Sequence, residues 1–319
     1  MASELLSVVV PARDEEQILP ALHREVVAAL EPTGLDFELI IVDDGSTDGT
    51  AEVIERLAAL DPRVRGIHLA RGFGHQFALL AGLEDARGDA VVTIDADLEQ
   101  PPAAIPGLIT RWREGFQVVH GVRLDHPGAS WFKRTTSRWF YRLFAFLSHI
   151  PMEPGMLDFR LMDRQVVDAV VAHTETDFFL RGIANWVGFR QARVPYRSGL
   201  RSTGRTKFTT RRMIGFAVRG ITSFSVFPLR LATWLGVMMT VVSLAFGAFV
   251  GIRYFFWEHP QPGYASTILL IAFLFGVQFL LIGVLGEYVA RIHVEVKKRP
   301  RYLVARRTGE PRGGPEPLR

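Results

Sequence analysis

Residues 89–102 read DAVVTIDADLEQPP: a short run of strand formers that ends in two carboxylates one residue apart, then a third, then two prolines. A continuously apolar run of this length suits a strand covered on both faces. Parallel sheets are built from such strands and bind ligands beyond their carboxyl ends. The stretch therefore predicts a fold class and a place to look for chemistry. In an extended strand end Asp95 and Asp97 point to the same side and repel each other, and a divalent cation removes that repulsion. The chain has no cysteine, so any metal is held by oxygen or imidazole. Oxygen ligands next to a phosphate-bearing substrate suit Mg2+ or Mn2+. Asp95 and Asp97 are the candidate ligands, with Glu99 as the third. Pro101 and Pro102 stop the strand and start a helix whose first turn favours anions.

The pattern repeats on both sides. LLSVVVPA leads into a helical pattern over Glu15–Leu30, FELIIVDD into Thr50–Leu60, VRGIHLA into Gln76–Ala86, and the quoted stretch into Ala103–Glu114, with FQVVHGVR after that. Strand and helix patterns in alternation are βα units, and they predict an α/β fold with a mostly parallel sheet. Pro11–Glu15, Asp43–Gly45 and Asp95–Glu99 then stand at strand ends. Asp and Gly favour turns on their own account. Three acid-bearing strand ends in one sheet exceed what turns require, and we read a binding site there. No G-x-G-x-x-G follows the first strand, GFG at 72–74 follows the third in the wrong spacing, and no Walker loop is present. A dehydrogenase and a P-loop NTPase are set aside on that ground.

Beyond residue 228 the chain changes in kind. Leu229–Trp257 and Tyr264–Leu285 are apolar runs, each long enough to cross a hydrocarbon core of ~30 Å at ~1.5 Å per residue. They predict a hairpin of two transmembrane helices, at residues 231–256 and 264–287. Arg219 and Arg230 precede the first of these helices, and Arg291, Lys297, Lys298, Arg299, Arg301, Arg306 and Arg307 follow the second, whereas the connecting EHPQPG is almost without positive charge. Positive-inside bias puts both termini in the cytoplasm and Glu258–Gly263 outside, in an inner or plasma membrane. Residues 1–228 are then a cytoplasmic domain, 229–290 the hairpin, and 291–319 a basic cytoplasmic tail, read as disordered from its Pro and Gly content. Much of the formal charge of +4 sits in these flanks. MASELLSVVVPARDEE has neither a basic start nor an apolar core of signal-peptide length. Residues 132–150 and 211–227 read as amphipathic interfacial helices. In the first, Phe132, Trp139, Phe140, Leu143 and Leu147 share one side while Arg134, Arg138 and Arg142 recur on another.

Five stretches, SVVVPARDEE, IIVDDGSTDGT, FGHQFALLAGL, GDAVVTIDADLEQPP and DFRLMDR, occur in this order ahead of the hairpin. They resemble glycosyltransferase family 2, and within it the polyprenyl-phosphate sugar transferases of the dolichol-phosphate mannose synthase and bactoprenol glucosyl transferase kind. The resemblance implies a GT-A type nucleotide-sugar-binding domain. By similarity Pro11, Ala12, Arg13 and Glu15 line the base and ribose, Asp43 and Asp44 lie near the nucleoside, and Asp95, Ala96 and Asp97 meet the ribose, the metal and the diphosphate. RSTGRTKF resembles the family's phosphate loop, which implies Arg201 and Lys207 as phosphate contacts; Arg123 and Arg134 are further candidate cations. Asp158 in DFRLMDR matches the family's acid that serves as base or orients the acceptor. The family often has Gln where this chain has Glu99, and Asp where it has Gln100. His75 reads as a cap or packing residue ahead of a catalytic one.

The expected reaction is inverting transfer of a sugar from a nucleotide sugar, a UDP-sugar ahead of a GDP-sugar, to a polyprenyl phosphate at the cytoplasmic membrane face. The acceptor's second ionisation lies near pKa ~6, so at neutral pH it is already an oxygen nucleophile and hardly needs a base. Asp158 is therefore read as a positioning residue, and the enzyme's task as binding two polyanions with a metal and arginines. The rivals are a processive polysaccharide synthase, whose Q-x-x-R-W motif and extra spans are missing, and a non-enzymatic membrane scaffold, which has no use for the two aspartates. The lipid bilayer is an expected partner and nucleic acid is not; self-association is left open.

Overall fold

The computed structural model describes residues 4–124, 156–173, 180, 182–183, 187–198, 227–256 and 263–309. The chain is an α/β protein with a mixed, mostly parallel sheet, followed by two long apolar helices. The strands are β1 (Leu5–Ala12), β2 (Asp36–Asp43), β3 (Val64–Leu69), β4 (Ala90–Thr93), β5 (Val118–Arg123), β6 (Met156–Asp163), β7 (Gln191–Tyr196) and β8 (Val304–Thr308). Among the described residues they form one mixed sheet in the order β7-β5-β6-β4-β1-β2-β3-β8. Strands β1 to β4 pair in parallel, as do β5 and β7, while β6 and β8 run against their neighbours.

The helices are α1 (Leu19–Leu30), α2 (Thr50–Leu60), α3 (His75–Asp85), α4 (Ile105–Arg113), α5 (Arg164–Val171), α6 (Phe227–Phe256) and α7 (Tyr264–Val296). Side-chain alternation explains why the strands read as unbroken apolar runs. β1 sends Leu6, Val8 and Val10 into a core shared with Leu19, Leu22 and Val26 of α1. Its Val9 turns to the other face, into a core shared with Ala78 and Leu79 of α3 and Val166 of α5. Each such fully buried aliphatic side chain contributes ~1.5–3 kcal/mol.

Three expectations need correction. Helix α1 begins at Leu19 and not at Glu15, because the backbone amides of Glu15 and Glu16 bond across to Thr50 Oγ1 and Asp48 Oδ2. Strand β4 stops at Thr93, so Asp95 and Asp97 lie in a turn, and the same-side argument drawn from an extended strand does not hold for them.

The third correction concerns the tail. The disorder expected over 291–319 is overturned for the described part: α7 runs on to Val296 and β8 forms the sheet edge beside β3. Its basic residues find acids on the helices below. Arg301 pairs with Glu84 at 2.9 Å and Arg307 with Asp85 at 3.3 Å, Arg306 pairs with Glu55, and the Tyr302 hydroxyl donates to Glu84.

The chain divides into two compact units, the α/β unit, which includes the chain from Arg299 onward, and a helical unit. Within the latter, Ala232–Phe249 and Phe273–Val296 have mean hydropathies of 1.7 and 1.8, so α6 and α7 are long and apolar enough to cross a membrane. The stretches 132–150 and 211–227, expected as interfacial helices, lie outside the described residues.

One core residue makes stability depend on pH. His120 on β5 is buried with Nε2 3.2 Å from Gln191 Oε1. Burial pushes its pKa down to about 3, helped by the neighbouring Arg160 guanidinium. An unfolded histidine titrates near ~6.5. The unfolded chain therefore takes up a proton that the folded chain refuses, and stability is lost as pH falls below ~6.5, by up to ~1.4 kcal/mol per pH unit. His120→Gln flattens that loss; unfolding midpoints of the two proteins at pH 7 and pH 5 measure it.

Candidate active site

The carboxyl ends of β1, β2 and β4 bring three loops to one edge of the sheet. Strand β6 runs the other way, so its beginning lies at that edge. With Arg160 in register with Thr93, Asp158 falls just beyond the end of β4. The Thr93 hydroxyl also donates to the Asp158 carbonyl.

The β1 and β2 loops are stitched together. Asp14, with φ of 55°, accepts from the Thr47 amide at 2.7 Å and donates its own amide to Ser46 Oγ at 3.0 Å. Glu16 accepts from the Gly49 amide at 2.8 Å. Asp43 accepts from the Ser46 amide at 2.9 Å. Asp44 accepts from the Phe73 amide at 2.6 Å and the Gly74 amide at 3.0 Å, and it lies 3.6 Å from Arg13 Nη1. Both aspartates expected near the nucleoside thus hold loop backbone. Gly45, at φ +64°, is required beside them: a Cβ there would run into the Arg71 backbone. Burial pushes the Glu15 carboxyl above its ordinary range, and the charges of Asp97, Asp48 and Asp14 add to that.

The DADLEQ turn is held from inside. Gln100 is fully buried and clamps Asp95 twice, donating to Oδ2 at 2.5 Å and accepting from the Asp95 amide at 2.9 Å. Asp97 accepts from the Glu99 amide at 3.0 Å. Ala96, expected among the nucleotide contacts, is packed into the hydrophobic core, and Pro11 and Ala12 are buried at the end of β1. The carboxylate of Glu99, expected as a metal ligand, pairs with Arg123 Nη1 at 3.4 Å. Among the described residues no three His, Asp or Glu side chains are grouped as a metal site.

Asp158, 2% exposed, accepts from Arg160 Nη2 at 3.3 Å and from Gln76 Nε2 at 3.2 Å. His75 stands at the start of α3 with Nε2 3.4 Å from Asp95 Oδ1 and 3.4 Å from Asp158 Oδ2. It joins the two acids, where sequence reasoning had preferred a cap. Gln76, Gln100 and Tyr196 were not singled out by sequence. Tyr196 closes β7 edge-on to Phe159, with ring centroids 5.3 Å apart. Its hydroxyl is buried without a hydrogen-bond partner among the described residues. Burial pushes that hydroxyl up to about 12; Arg123 opposes the shift, and Asp95, Glu99 and Asp97 add to it. It therefore remains a protonated donor beside the carboxylates. A polar residue at one more strand end was the available signal. Arg134, Arg201 and Lys207 lie outside the described residues.

Residues 7–171 match the family described as Glycosyl transferase family 2, and residues 227–292 match the one described as GtrB C-terminal hairpin. The SfII prophage-derived bactoprenol glucosyl transferase of Shigella flexneri is 40% identical over 299 residues, 94% of this chain and 97% of that protein. An uncharacterized glycosyltransferase of Synechocystis sp. is 39% identical over 300 residues, 94% of each chain. Among solved structures, glucosyl-3-phosphoglycerate synthase from Mycobacterium tuberculosis, in complex with Mn2+, UDP and phosphoglyceric acid, covers 70% of this chain and 78% of its own at a TM-score of 0.47 and 22% identity.

Proposed function

The chain belongs to glycosyl transferase family 2, and from that premise we propose that it transfers a sugar from a nucleotide sugar to a polyprenyl phosphate at a membrane surface, with inversion. One observation carries the reading: an acid-lined site at a sheet edge shares its polypeptide with two helices long and apolar enough to span a membrane. The bactoprenol glucosyl transferase relatives, which match over nearly the whole chain, support the acceptor class. A UDP-sugar is the preferred donor. The membrane is an inner or plasma membrane, with residues 1–228 and both termini on the cytoplasmic side.

In this reading the stitched loops of β1 and β2, with Arg13 and Glu15, hold the base and ribose, and the turn carrying Asp95 and Asp97 faces the diphosphate. Asp95 and Asp97 would offer a divalent cation the carboxylate oxygens that a hard ion prefers. When bound, Mg2+ or Mn2+ supplies positive charge for the departing diphosphate. Gln100 keeps Asp95 in place, and Arg123, held by Glu99, adds a cation at the same end of the sheet. The acceptor phosphate is already charged at neutral pH and attacks without giving up a proton. Asp158 then acts by position, holding Gln76 and His75 beside Asp95.

The test is to incubate the purified full chain with polyprenyl phosphate and a panel of labelled sugar nucleotides, with Mg2+ or Mn2+ and then with excess chelator. One donor should give a lipid-linked sugar, chelation should abolish the product, and added metal should restore it. No product from any donor sinks the reading.

A further inference from the structure

Strand β8 enters the α/β unit after α7 ends, across Lys297–Leu303. Its last residue, Thr308, lies opposite Gly66 in the register with β3. Gly66 makes the room: a Cβ there would sit 3.2 Å from Thr308 Cβ, 3.3 Å from His68 Nε2 and 2.5 Å from Ile54 Cγ2. In the space so left, Thr308 Oγ1 lies 3.0 Å from His68 Nε2. The other ring nitrogen of His68, Nδ1, lies 3.3 Å from Asp43 Oδ2. A carboxylate only accepts, so the Nδ1 hydrogen points at Asp43, and Nε2 takes the Thr308 hydroxyl hydrogen.

The chain of bonds continues. Asp43 Oδ1 accepts from the Ser46 amide at 2.9 Å, and Ser46 Oγ accepts from the Asp14 amide at 3.0 Å. His68 and Asp43 are 3% and 5% exposed, so water is a poor substitute for either partner. Burial raises the Asp43 carboxyl, and the bonds from His68 and Ser46 outweigh that and hold it below its ordinary range.

We propose that Thr308 is a positioning residue for the donor site: through His68 and Asp43 it sets the two loops, Arg13–Glu16 and Asp44–Gly49, that hold the nucleotide. The proposal rests on the assignment of those loops to the nucleotide under the proposed function. The segment that follows the second apolar helix is on this account part of the nucleotide-binding half. Removing the Thr308 hydroxyl leaves Nε2 without its donor and the ring without its second anchor, so Asp43 loses a fixed partner and the loops lose definition. No group on the relay touches the reacting atoms, and the effect falls on donor binding.

The full chain in lipid–detergent micelles is compared as wild type, Thr308→Val, Thr308→Ser and Arg306→Gln. Valine keeps the shape and suits a strand. It should raise the donor KM about threefold to tenfold, the range of one lost hydrogen bond, with kcat within about twofold and acceptor KM unchanged. Serine should restore the wild-type value. Arg306→Gln, which removes the ion pair with Glu55 across from His68 but none of the relay's hydrogen bonds, should leave the donor KM alone. Amide hydrogen exchange at Asp14 and Ser46 reads the relay without turnover and should quicken several-fold in the valine variant only. Unchanged exchange in Thr308→Val overturns the relay, as does an equal rise in donor KM in Arg306→Gln. A wild-type chain that transfers no sugar while exchange behaves as expected overturns the proposed function and leaves the relay standing.

Discussion

Asp97→Asn lowers kcat/KM for sugar transfer by about a hundredfold to a thousandfold, the loss typical of removing one preorganised electrostatic contact from a transition state. The fold survives the change. Asp97 accepts a hydrogen bond from the Glu99 amide at 3.0 Å, and the asparagine side-chain oxygen accepts the same bond. The substitution also removes one of the charges that raise Glu15, so stability without metal stays equal or rises slightly. What is lost, under the proposed function, is the negative charge offered to a cation and, through it, to the diphosphate. Turnover measured beside the unfolding midpoint separates the two. An unchanged rate at an unchanged midpoint removes Asp97 from the site.

Asp158→Asn acts on both fold and rate. The Arg160 guanidinium is 1% exposed and pairs with Asp158 at 3.3 Å. Withdrawing the carboxylate from a buried charge costs about 3 kcal/mol. In an α/β unit of this size that lowers the midpoint by roughly 6–12 °C. Gln76 and His75 lose the charged acceptor that holds them beside Asp95, and turnover falls with them. At a temperature where the variant is fully folded the rate should still be at least about tenfold down, the size of one charge-assisted bond. A variant with the expected midpoint and the wild-type rate would make Asp158 a purely structural residue.

Periodicity and punctuation carried most of the fold. The continuous apolar runs LLSVVVPA and FELIIVDD are strands because both faces of the sheet are covered, and Thr50–Leu60 is a helix over the span its pattern predicts. The apolar runs after Leu229 are helices of 30 and 33 residues. What could not be read was decided by contacts far apart in sequence. VARRT looks like a solvated basic tail, and it is a strand because Glu55, Glu84 and Asp85 await this segment's basic side chains. Glu99 carries the right chemistry for a hard cation, and its ion pair with Arg123, 24 residues on, left no trace in the sequence pattern. His75 capped a predicted helix plausibly enough; only the antiparallel course of β6, invisible in the sequence, puts Asp158 within its reach. Gln100 stood out only as a departure from the family pattern, and its role as the clamp on Asp95 was hidden, since an amide after an acidic turn looks exposed until the sheet closes over it.

The edge strand β8 also settles a question of threading. Sheet hydrogen bonds cannot be shared across a bilayer, so β3 and β8 occupy one compartment. The chain passes from the α/β unit into α6 and rejoins that unit after α7. If α6 crosses a membrane, α7 crosses it in return; a single crossing followed by a helix lying along the surface would strand β8 away from its partner. A count of positive charges only biases a hairpin toward this arrangement, whereas a hydrogen-bonded strand demands it.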